Sequence, residues 1–166
     1  MMNNRQPQGE TVMTLEETVA RLSKARSLAV VQEIVRSAAR RLTRADGATF
    51  VLKDGDLCYY ADEDAVTPLW KARRFPMAKC VSGWLIIQHA SVFIEDIYAD
   101  PRVLWGAYRP TFVQSLAIAP IRRESPVGAI GIYWAQRHAA TQGEMDALVA
   151  LAQATGAALL VVENPR

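Results

Sequence analysis

The hydrophobic residues of this chain recur at helical spacing near both ends and at strand spacing in between. One stripe from Leu28 to Leu42 repeats every three or four residues, and a second from Met145 to Val162 has the same period. Between them lie short β-prone runs separated by turn residues. A three-to-four-residue period indicates one buried helix face, and short β-prone runs bounded by turns indicate strands. We therefore expect an α+β fold, with an antiparallel sheet and terminal helices on one of its faces.

Three helix starts can be read directly from the sequence. Thr14-Leu15-Glu16-Glu17 and Thr141-Gln142-Gly143-Glu144 have the spacing of a capping box, in which a Thr hydroxyl and a Glu carboxylate bond each other's backbone amides. Ser27 is a third N-cap. The helix that follows it is expected to stop near Asp46-Gly47, because Gly tolerates the left-handed conformation at a helix end.

Two strand pairs are predicted from the centre of the chain. Residues 48–53 and 57–61 flank Asp54-Gly55-Asp56, a hairpin signal. The second pair comprises 115–121 and 127–134, joined by a turn at 124–126. Gly128 and Gly131 are expected to mark bulges or a close approach of a helix to this last strand.

The connection between the two strand pairs, residues 62–114, has no single period. It predicts one helical turn at 69–73, a helix capped by Ser82, a strand at 91–95, and a short helix from Asp100-Pro101 to Gly106. Ordered connections of this length usually carry function. A long helix-containing crossover on the second face of the sheet is therefore where a site is expected.

The length and composition indicate one globular domain. The chain has 166 residues, of which 51% are hydrophobic and 22% charged, enough to bury a core without a disulfide or metal. Residues 1–12 are expected to be a disordered lead-in, 13–163 the domain, and 164–166 a tail. The first ten residues contain no apolar stretch of the kind found in signal peptides, and uninterrupted apolar runs such as 84–87 are far below the ~18 residues of a spanning helix. A cytoplasmic location without membrane crossing is expected.

Charge is nearly balanced overall but uneven along the chain. Lys and Arg number 19 against 17 Asp and Glu, a net charge of +2. The segment from Arg21 to Arg44 carries seven basic residues and a single acid, Glu33. A solvated helix face is the expected interpretation. A nucleic-acid surface formed by Arg36, Arg40 and Arg44 is a remote alternative that the sequence does not favour.

The crossover and the last strands together resemble a known family. The segments are Phe75-Pro76-Met77-Ala78-Lys79-Cys80-Val81-Ser82-Gly83-Trp84, then residues 92–102 (VFIEDIYADPR), and the strand pair 115–121 and 126–131. In this order they resemble a GAF domain over roughly residues 20–163, and in particular the sensory GAF domains of bacterial HWE-type two-component sensor histidine kinases. The resemblance implies a GAF-like sheet with a small-molecule pocket between sheet and crossover, and signalling through the terminal helices to a kinase or other output domain in cis or in trans.

Aromatic residues concentrate in the crossover beside a few polar groups, as a pocket for a small organic ligand requires. The alternative is that each ring belongs to the core and each Asp caps a turn. The ligand is unidentified. The candidate ligand-binding residues are Phe75, Trp84, Asp96, Tyr98, Trp105, Tyr108, Arg109 and Phe112.

The two cysteines, Cys58 and Cys80, are too few for a disulfide framework. Cys80 precedes a predicted helix, where a thiol pKa can be lowered, so a redox role stands beside the simpler one of a small buried side chain. The GAF resemblance also includes free methionine-R-sulfoxide reductases, which need a cysteine nucleophile and a resolving thiol. Ser82 stands where one of those cysteines is expected, so no catalytic residue and no enzyme activity are predicted.

Cofactor predictions follow from the same residues. Bilin-binding GAF domains attach the pigment to a crossover cysteine, and residues 104–109 contain none, so covalent bilin is not expected. His89 and His138 are too few for a zinc site. Haem needs a single axial histidine and is not excluded, with His89 as the candidate.

The first predicted helix suggests an interaction surface. Leu15, Val19 and Leu22 form an apolar stripe far in sequence from the sheet, and the sequence predicts that a second copy covers it, giving a homodimer through the terminal helices. A dimerisation or scaffold module with a vestigial pocket is the alternative to a ligand sensor.

Overall fold

The computed structural model describes residues 13–164 and places helices at both ends of this range. The elements are α1 (Leu15–Ser23), α2 (Leu28–Thr43), β1 (Gly47–Asp54), β2 (Leu57–Ala65), β3 (Arg74–Pro76), α3 (Val81–Gln88), β4 (Val92–Ile94), α4 (Trp105–Tyr108), β5 (Ser115–Ile121), β6 (Gly128–Trp134) and α5 (Gln142–Glu163), with short 3₁₀ turns at Met77–Lys79 and Ile97–Ala99. The predicted lead-in and the last two residues of the predicted tail lie outside the described residues.

The three predicted helix starts are confirmed. Thr14 Oγ1 accepts from the Glu17 amide at 3.1 Å, and the Glu17 carboxylate accepts from the Thr14 amide at 3.2 Å. Thr141 and Glu144 form the same reciprocal pair ahead of α5, and Ser27 Oγ caps α2. Each cap satisfies amides that the first helical turn would otherwise leave without partners.

The six strands form one antiparallel sheet in the order β3-β2-β1-β6-β5-β4. The predicted hairpin turns at Gly55, whose φ of +58° favours glycine. A register shift lies between Phe50 and Val51 of β1, and not at Gly128 or Gly131, where bulges were predicted. At Gly131 the close neighbours of an added Cβ would be the Tyr133 hydroxyl and Thr49 Oγ1 rather than a helix.

The sheet separates two hydrophobic cores. On one face α1, α2 and α5 pack over the sheet and over one another. On the other face α3, α4 and their connecting loops cover the inward side chains of β2, β5 and β6. This is the predicted α+β arrangement, with terminal helices on one face and the crossover on the other.

The end of α2 differs from the prediction. Arg44, with φ +54°, takes the left-handed position after Thr43, and its amide bonds to the Arg40 carbonyl. Gly47 instead begins β1, where an added Cβ would lie 2.9 Å from a ring carbon of Phe112. Gly47 is therefore suited to close packing between sheet and crossover, and not to ending a helix.

Three crossover predictions are also corrected. Residues 69–73 form a turn and not a helix, with Ala72 at φ +69°. The helix predicted from Ser82 begins earlier, because Cys80 is its N-cap. Asp100 caps a tight turn by accepting from the Arg102 amide at 2.9 Å, so the short helix α4 starts only at Trp105, and Gly106 lies inside it.

The terminal helices cover one another within a single chain. Leu22 of α1 is 1% exposed, and Leu15 packs against the same core. The premise that this stripe needs a second copy is therefore wrong, although Val19 remains 38% exposed.

The last helix, α5, is long and apolar enough by length and composition to cross a membrane, contrary to the prediction from uninterrupted apolar runs. In this fold its residues Leu148, Leu151, Ala152 and Leu159 are buried against the sheet and the other terminal helices. The helix thus supplies one side of a core.

Candidate functional site

Four aromatic rings fill the space between sheet and crossover. The ring centroid of Trp70 lies 5.6 Å from that of Tyr60, 4.7 Å from Tyr108 and 5.3 Å from Tyr133, each in an edge-to-face arrangement that favours aromatic contact. All four are buried. This group, here named the crossover core, occupies the place where the family resemblance implies a pocket.

Two of the three tyrosine hydroxyls of the crossover core have hydrogen-bond partners nearby. The hydroxyls of Tyr60 and Ser82 are 3.1 Å apart, and those of Tyr133 and Thr49 are 2.9 Å apart. Burial raises the pKa of Tyr60, Tyr108 and Tyr133 because a phenolate loses its hydration there. The tyrosines are therefore neutral and act as packing groups.

A single carboxylate holds Trp70 in the crossover core. Glu63 Oε1 accepts from the amides of Trp70 at 2.9 Å and Lys71 at 2.7 Å, and Oε2 accepts from Leu69 at 2.8 Å. The Trp70 indole N–H donates to the Ala107 carbonyl at 2.9 Å. The three amides around one carboxylate explain why this segment is a turn and not the predicted helix.

The two cysteines belong to the same buried cluster as the crossover core. Cys80 Sγ accepts from the Gly83 amide at 3.3 Å, as the N-cap of α3. Cys58, on β2, is fully buried, and Cys80 is 8% exposed. The predicted position of Cys80 at a helix N-terminus is confirmed.

The surroundings of the two cysteines shift their thiol pKa values in opposite directions. Hydrogen bonding from Cys58, supported by the Gly83 amide, lowers the pKa of Cys80 although burial opposes it. The same hydrogen bond, with burial, raises the pKa of Cys58. Cys80, the sulfur nearer the surface, is therefore the more readily deprotonated of the two.

An open groove of about 320 Å³ reaches Cys80 from solvent. Lys79, Cys80 and Trp84 form one wall and residues 101–104 the other. This volume lies at the lower end of those that hold small organic ligands. The groove is a part of the crossover that a small molecule can enter.

Arg102 sets the electrostatics of this groove. Its guanidinium carbon lies 4.7 Å from the ring centroid of Trp84, and it holds Asp100 with contacts of 3.0 and 2.6 Å. These hydrogen bonds lower the pKa of Asp100 and raise that of Arg102. A planar cation fixed against an aromatic face suits recognition of flat or acidic groups.

The predicted ligand-binding residues do not converge on one cavity. Trp84 lines the groove, Tyr108 is buried in the crossover core, and Phe75 and Phe112 pack against that core. Asp96 caps the 3₁₀ turn by accepting from the Tyr98 amide at 3.0 Å.

The other three predicted residues are exposed. The indole N–H of Trp105 donates to the Ile97 carbonyl, and Tyr98 and Arg109 face solvent. The candidate list lacks Lys79 and Arg102 of the groove, and Tyr60, Trp70 and Tyr133 of the crossover core, although Trp70 and Arg102 belong to the aromatic and polar cluster that the sequence indicates. Side chains alternate between the two faces of a strand, and this alternation along β2 and β6 could have placed Tyr60 and Tyr133 on inward-facing positions.

A larger groove of about 600 Å³ lies elsewhere, between the β5 edge and α5. Its walls include Pro120, Arg122, Glu124 and Gln153. Arg122 reaches across to Glu163 at 3.3 Å. This groove shares no lining residue with the groove at Cys80.

The histidines lie away from both the crossover core and the groove at Cys80. His89 is exposed at the C-terminal end of α3 with φ +55°. His138 Nε2 lies 2.8 Å from Glu144 Oε1, and its ring packs on Trp134. Within residues 13–164 no group of three or more His, Cys, Asp or Glu side chains is placed to hold a metal ion.

The basic segment is partly neutralised by residues distant in sequence. Arg36 pairs with Asp62 at 2.8 Å and Arg40 with Asp64 at 2.9 Å, both from β2. The segment from Arg21 to Arg44 itself contains a single acid, because the acidic partners Asp62 and Asp64 lie on β2. The paired arginines are thus part of the contact between α2 and the sheet.

Comparison with known proteins agrees with this architecture. The family model described as GAF domain matches residues 25–160. No curated protein sequence is significantly similar to the chain. Among solved structures, the GAF domain of an Acinetobacter phosphoenolpyruvate-protein phosphotransferase has a TM-score of 0.77 at 14% identity, covering 90% of this chain and 92% of its own.

Two further structures share the fold. Free methionine-R-sulfoxide reductase from Neisseria meningitidis, solved with its substrate, has a TM-score of 0.74 at 15% identity, covering 90% of this chain and 87% of its own. The chromophore-binding domain of a bacteriophytochrome from R. palustris has a TM-score of 0.78 at 17% identity, covering 95% of this chain and 64% of its own. The family match over most of the chain, on this sheet order and crossover, shows that the protein belongs to the GAF domain family.

Proposed function

We propose that this GAF domain is a non-catalytic sensory module that binds a small molecule and signals through its terminal helices to a histidine kinase or another output domain. The observation that carries the proposal is the groove at Cys80, open to solvent and lined by the Trp84–Arg102 pair. GAF domains are generally sensory or regulatory, and the relatives of this fold include one that binds a chromophore. A cytoplasmic location is part of this proposal.

The chemistry of the groove favours a small ligand with an acidic group. Lys79 and Arg102 both border it, and two nitrogens of Arg102 already bind Asp100. A ligand carboxylate or phosphate would therefore compete with Asp100 or use the remaining guanidinium N–H groups. The apolar wall of Val103 and Leu104 suits a short hydrocarbon portion.

A path for the signal runs through the sheet. α3 carries the groove residue Trp84 and packs on β5 and β6, while α5 packs on the opposite face of the same strands. Suppose that α3 can occupy two positions on the sheet. A ligand that binds one of them more tightly would change the relative populations of the two positions. A shift in the packing of α5 on the sheet and on α1 and α2 is the output that we propose.

Binding is tested by thermal shift with a library of small carboxylates and phosphates. A ligand at 100 times its dissociation constant adds about 2.7 kcal/mol, or roughly 5–10 °C for a domain of this size. Arg102→Gln is expected to abolish the shift. Arg74→Gln is the matched control, because Arg74 stacks on Tyr59 and pairs with Asp54 in the same way outside the groove.

If no library compound raises the melting temperature, or if both arginine variants respond equally, the sensory proposal fails at this groove. The scaffold alternative then gains, and one observation already favours it: the crossover core fills the deeper space with Tyr60, Trp70, Tyr108 and Tyr133. Loading with haem or bilin tests the tetrapyrrole ligands separately, by the appearance of a visible absorption band.

Homodimer formation is the second part of the proposal. Although the α1 stripe is covered within the chain, Val149 and Leu160 of α5 are 41% and 49% exposed. Light scattering at tens of micromolar is expected to give a dimer that Leu160→Glu dissociates. Val66→Glu is the control, since Val66 is 52% exposed on a loop. A monomeric parent protein contradicts the dimer.

The thiol-enzyme alternative is favoured only by the reductase fold similarity and by Cys80. Methionine-sulfoxide turnover that Cys80→Ser abolishes would establish it and overturn the non-enzymatic reading. No turnover by the parent protein in the presence of a dithiol reductant is the expected result, because Ser82, hydrogen-bonded to Tyr60, cannot act as a thiol.

A further inference from the structure

The larger groove of about 600 Å³ lies where β5 extends beyond its edge strand. β4 pairs with residues 116–118 only, whereas β5 continues to Ile121. Within residues 13–164 the last part of β5 therefore has no strand beside it on that side of the sheet. The groove opens there, with Pro120 on one wall and Val149 of α5 on the other. Its volume falls within the range of grooves that hold small organic ligands.

Arg122, which lines this groove, is held in an unfavourable backbone conformation. Its φ of +61° lies in the left-handed region, which costs free energy for a residue with a side chain. Its Nε donates to the Gly156 carbonyl at 3.4 Å, and its Nη2 lies 3.3 Å from Glu163 Oε2. The guanidinium is thus held beside α5 while the side chain stays 24% exposed. Such strain persists where surrounding contacts hold it, and it is frequent at ligand-binding sites.

Gly156 makes room for this arginine. It lies inside the 22-residue helix α5, where glycine lowers helix stability relative to alanine. A Cβ on Gly156 would come within 2.8 Å of Arg122 Cγ, closer than a Cβ and a side-chain carbon approach each other in proteins. Two locally unfavourable features, one in a turn and one in a helix, therefore place a single guanidinium at the groove.

The other lining residues indicate the chemistry of a ligand. Arg122 and Arg123 outnumber Glu124 in the lining, so the groove carries a net positive charge, and Pro120 and Val149 add apolar surface. A guanidinium binds a carboxylate through two parallel N–H bonds. We propose that this groove binds a small organic acid, a carboxylate on an apolar body, with Arg122 as its anchor.

A bound carboxylate would compete with Glu163. The same guanidinium serves both, and Glu163 is the last residue of α5, so an acid in the groove would loosen the contact that joins the end of α5 to the turn after β5. Val149 also lies on the part of α5 proposed for the dimer, so a partner copy and the acid would compete for it. This second site does not rest on the ligand proposed for the groove at Cys80.

The test titrates the 166-residue chain with benzoate and 4-phenylbutyrate, using benzamide as the uncharged counterpart. NMR follows the Arg122 Nε–H and the side-chain amide of Gln153, which also lines the groove. Both signals are expected to shift with a dissociation constant of about 1 mM or below, and benzamide is expected to leave them in place. Leu160→Glu is titrated alongside, because it frees α5 from a partner copy; binding in either protein supports the site.

Three variants separate ligand binding from a purely structural role of the arginine. Arg122→Gln is expected to raise the dissociation constant about tenfold or more. Gly156→Ala is expected to raise it severalfold by displacing the arginine, and Gly143→Ala is the matched control, since its Cβ would meet only Thr141 Oγ1, at 4.0 Å. Glu163→Gln is expected to tighten binding about two- to fivefold, the contribution of one exposed ion pair, because the competing carboxylate is gone.

The proposal is overturned if neither the parent protein nor Leu160→Glu responds to about 20 mM acid, or if benzamide shifts the signals equally. Binding that is unchanged in Arg122→Gln, or weaker in Glu163→Gln, also overturns it, as does inorganic phosphate acting as strongly as benzoate. The parent titrations decide the matter even if a variant fails to fold. Arg102→Gln is expected to leave these titrations unchanged, so failure at the groove of Cys80 is distinguishable from failure here.

Discussion

The carboxylate of Glu63 offers the sharpest test of how the crossover is held on the sheet. It accepts three backbone amides, from Leu69, Trp70 and Lys71, at 2.7–2.9 Å. A hydrogen bond to a charged group contributes about 1.5–3 kcal/mol. Since this loop borders solvent, water can replace part of each bond, and we expect Glu63→Ala to cost about 3 kcal/mol in the free energy of unfolding.

For a domain of this length that cost corresponds to a fall in melting temperature of roughly 6–12 °C. Glu63→Gln is expected to fall between parent and Ala, because its amide oxygen can still accept from Trp70 and Lys71 while its NH₂ group faces the Leu69 amide. Glu124→Ala, at an exposed acid, is the control and is expected to change stability by about 0.5 kcal/mol or less.

A second readout follows Trp70 itself. Its indole N–H donates to the Ala107 carbonyl, so hydrogen exchange at this proton, followed by NMR, is expected to quicken in Glu63→Ala and not in Glu124→Ala. A Glu63→Ala protein that melts with the control and keeps the indole protected would refute the view that one carboxylate organises the loop.

Two further predictions concern α3 and α5. Gly83→Ala is expected to lower the free energy of unfolding in urea by ~3 kcal/mol, because the new Cβ would collide with the Met77 carbonyl. Gly106→Ala is the control and should be near neutral, because the space around Gly106 is open. Equal effects of the two substitutions would contradict this prediction. Hydrogen bonds from Thr141 and His138 lower the pKa of Glu144 despite burial. A depressed carboxyl pKa stabilises the fold above the unfolded value near 4.5 and ceases to do so as pH falls through the folded value. Glu144→Gln should therefore flatten the acid side of the stability profile measured by thermal melts, and an unchanged acid limb would count against the pairing.

Sequence patterns predicted the terminal helices and the strand pairs because their signals are local. The caps at Thr14, Ser27 and Thr141 depend on pairs of residues three positions apart. The turn at Gly55 depends on residues next to each other in the sequence. The sheet order and the pairing of Arg36 with Asp62 depend on residues far apart in the chain, which no local period reveals.

The candidate site was predicted less well for the same reason. Aromatic content marked the crossover correctly as a cluster, yet could not separate rings that fill the core from rings at a groove. Trp70 is inward only because Glu63 folds its loop back, and Tyr60 meets Ser82 only because β2 runs beneath α3. Each fact joins two elements that are separate in sequence.

The two outermost strands, β3 and β4, are three residues long each. A neighbouring chain that tried to extend the sheet from either strand would have only three residues to pair with, and on β3 Pro76 contributes no amide hydrogen at all. Copies brought close together would therefore have little strand edge through which to fuse into a continuous sheet. The dimer proposed through the helices would then remain separate from any extension of the sheet.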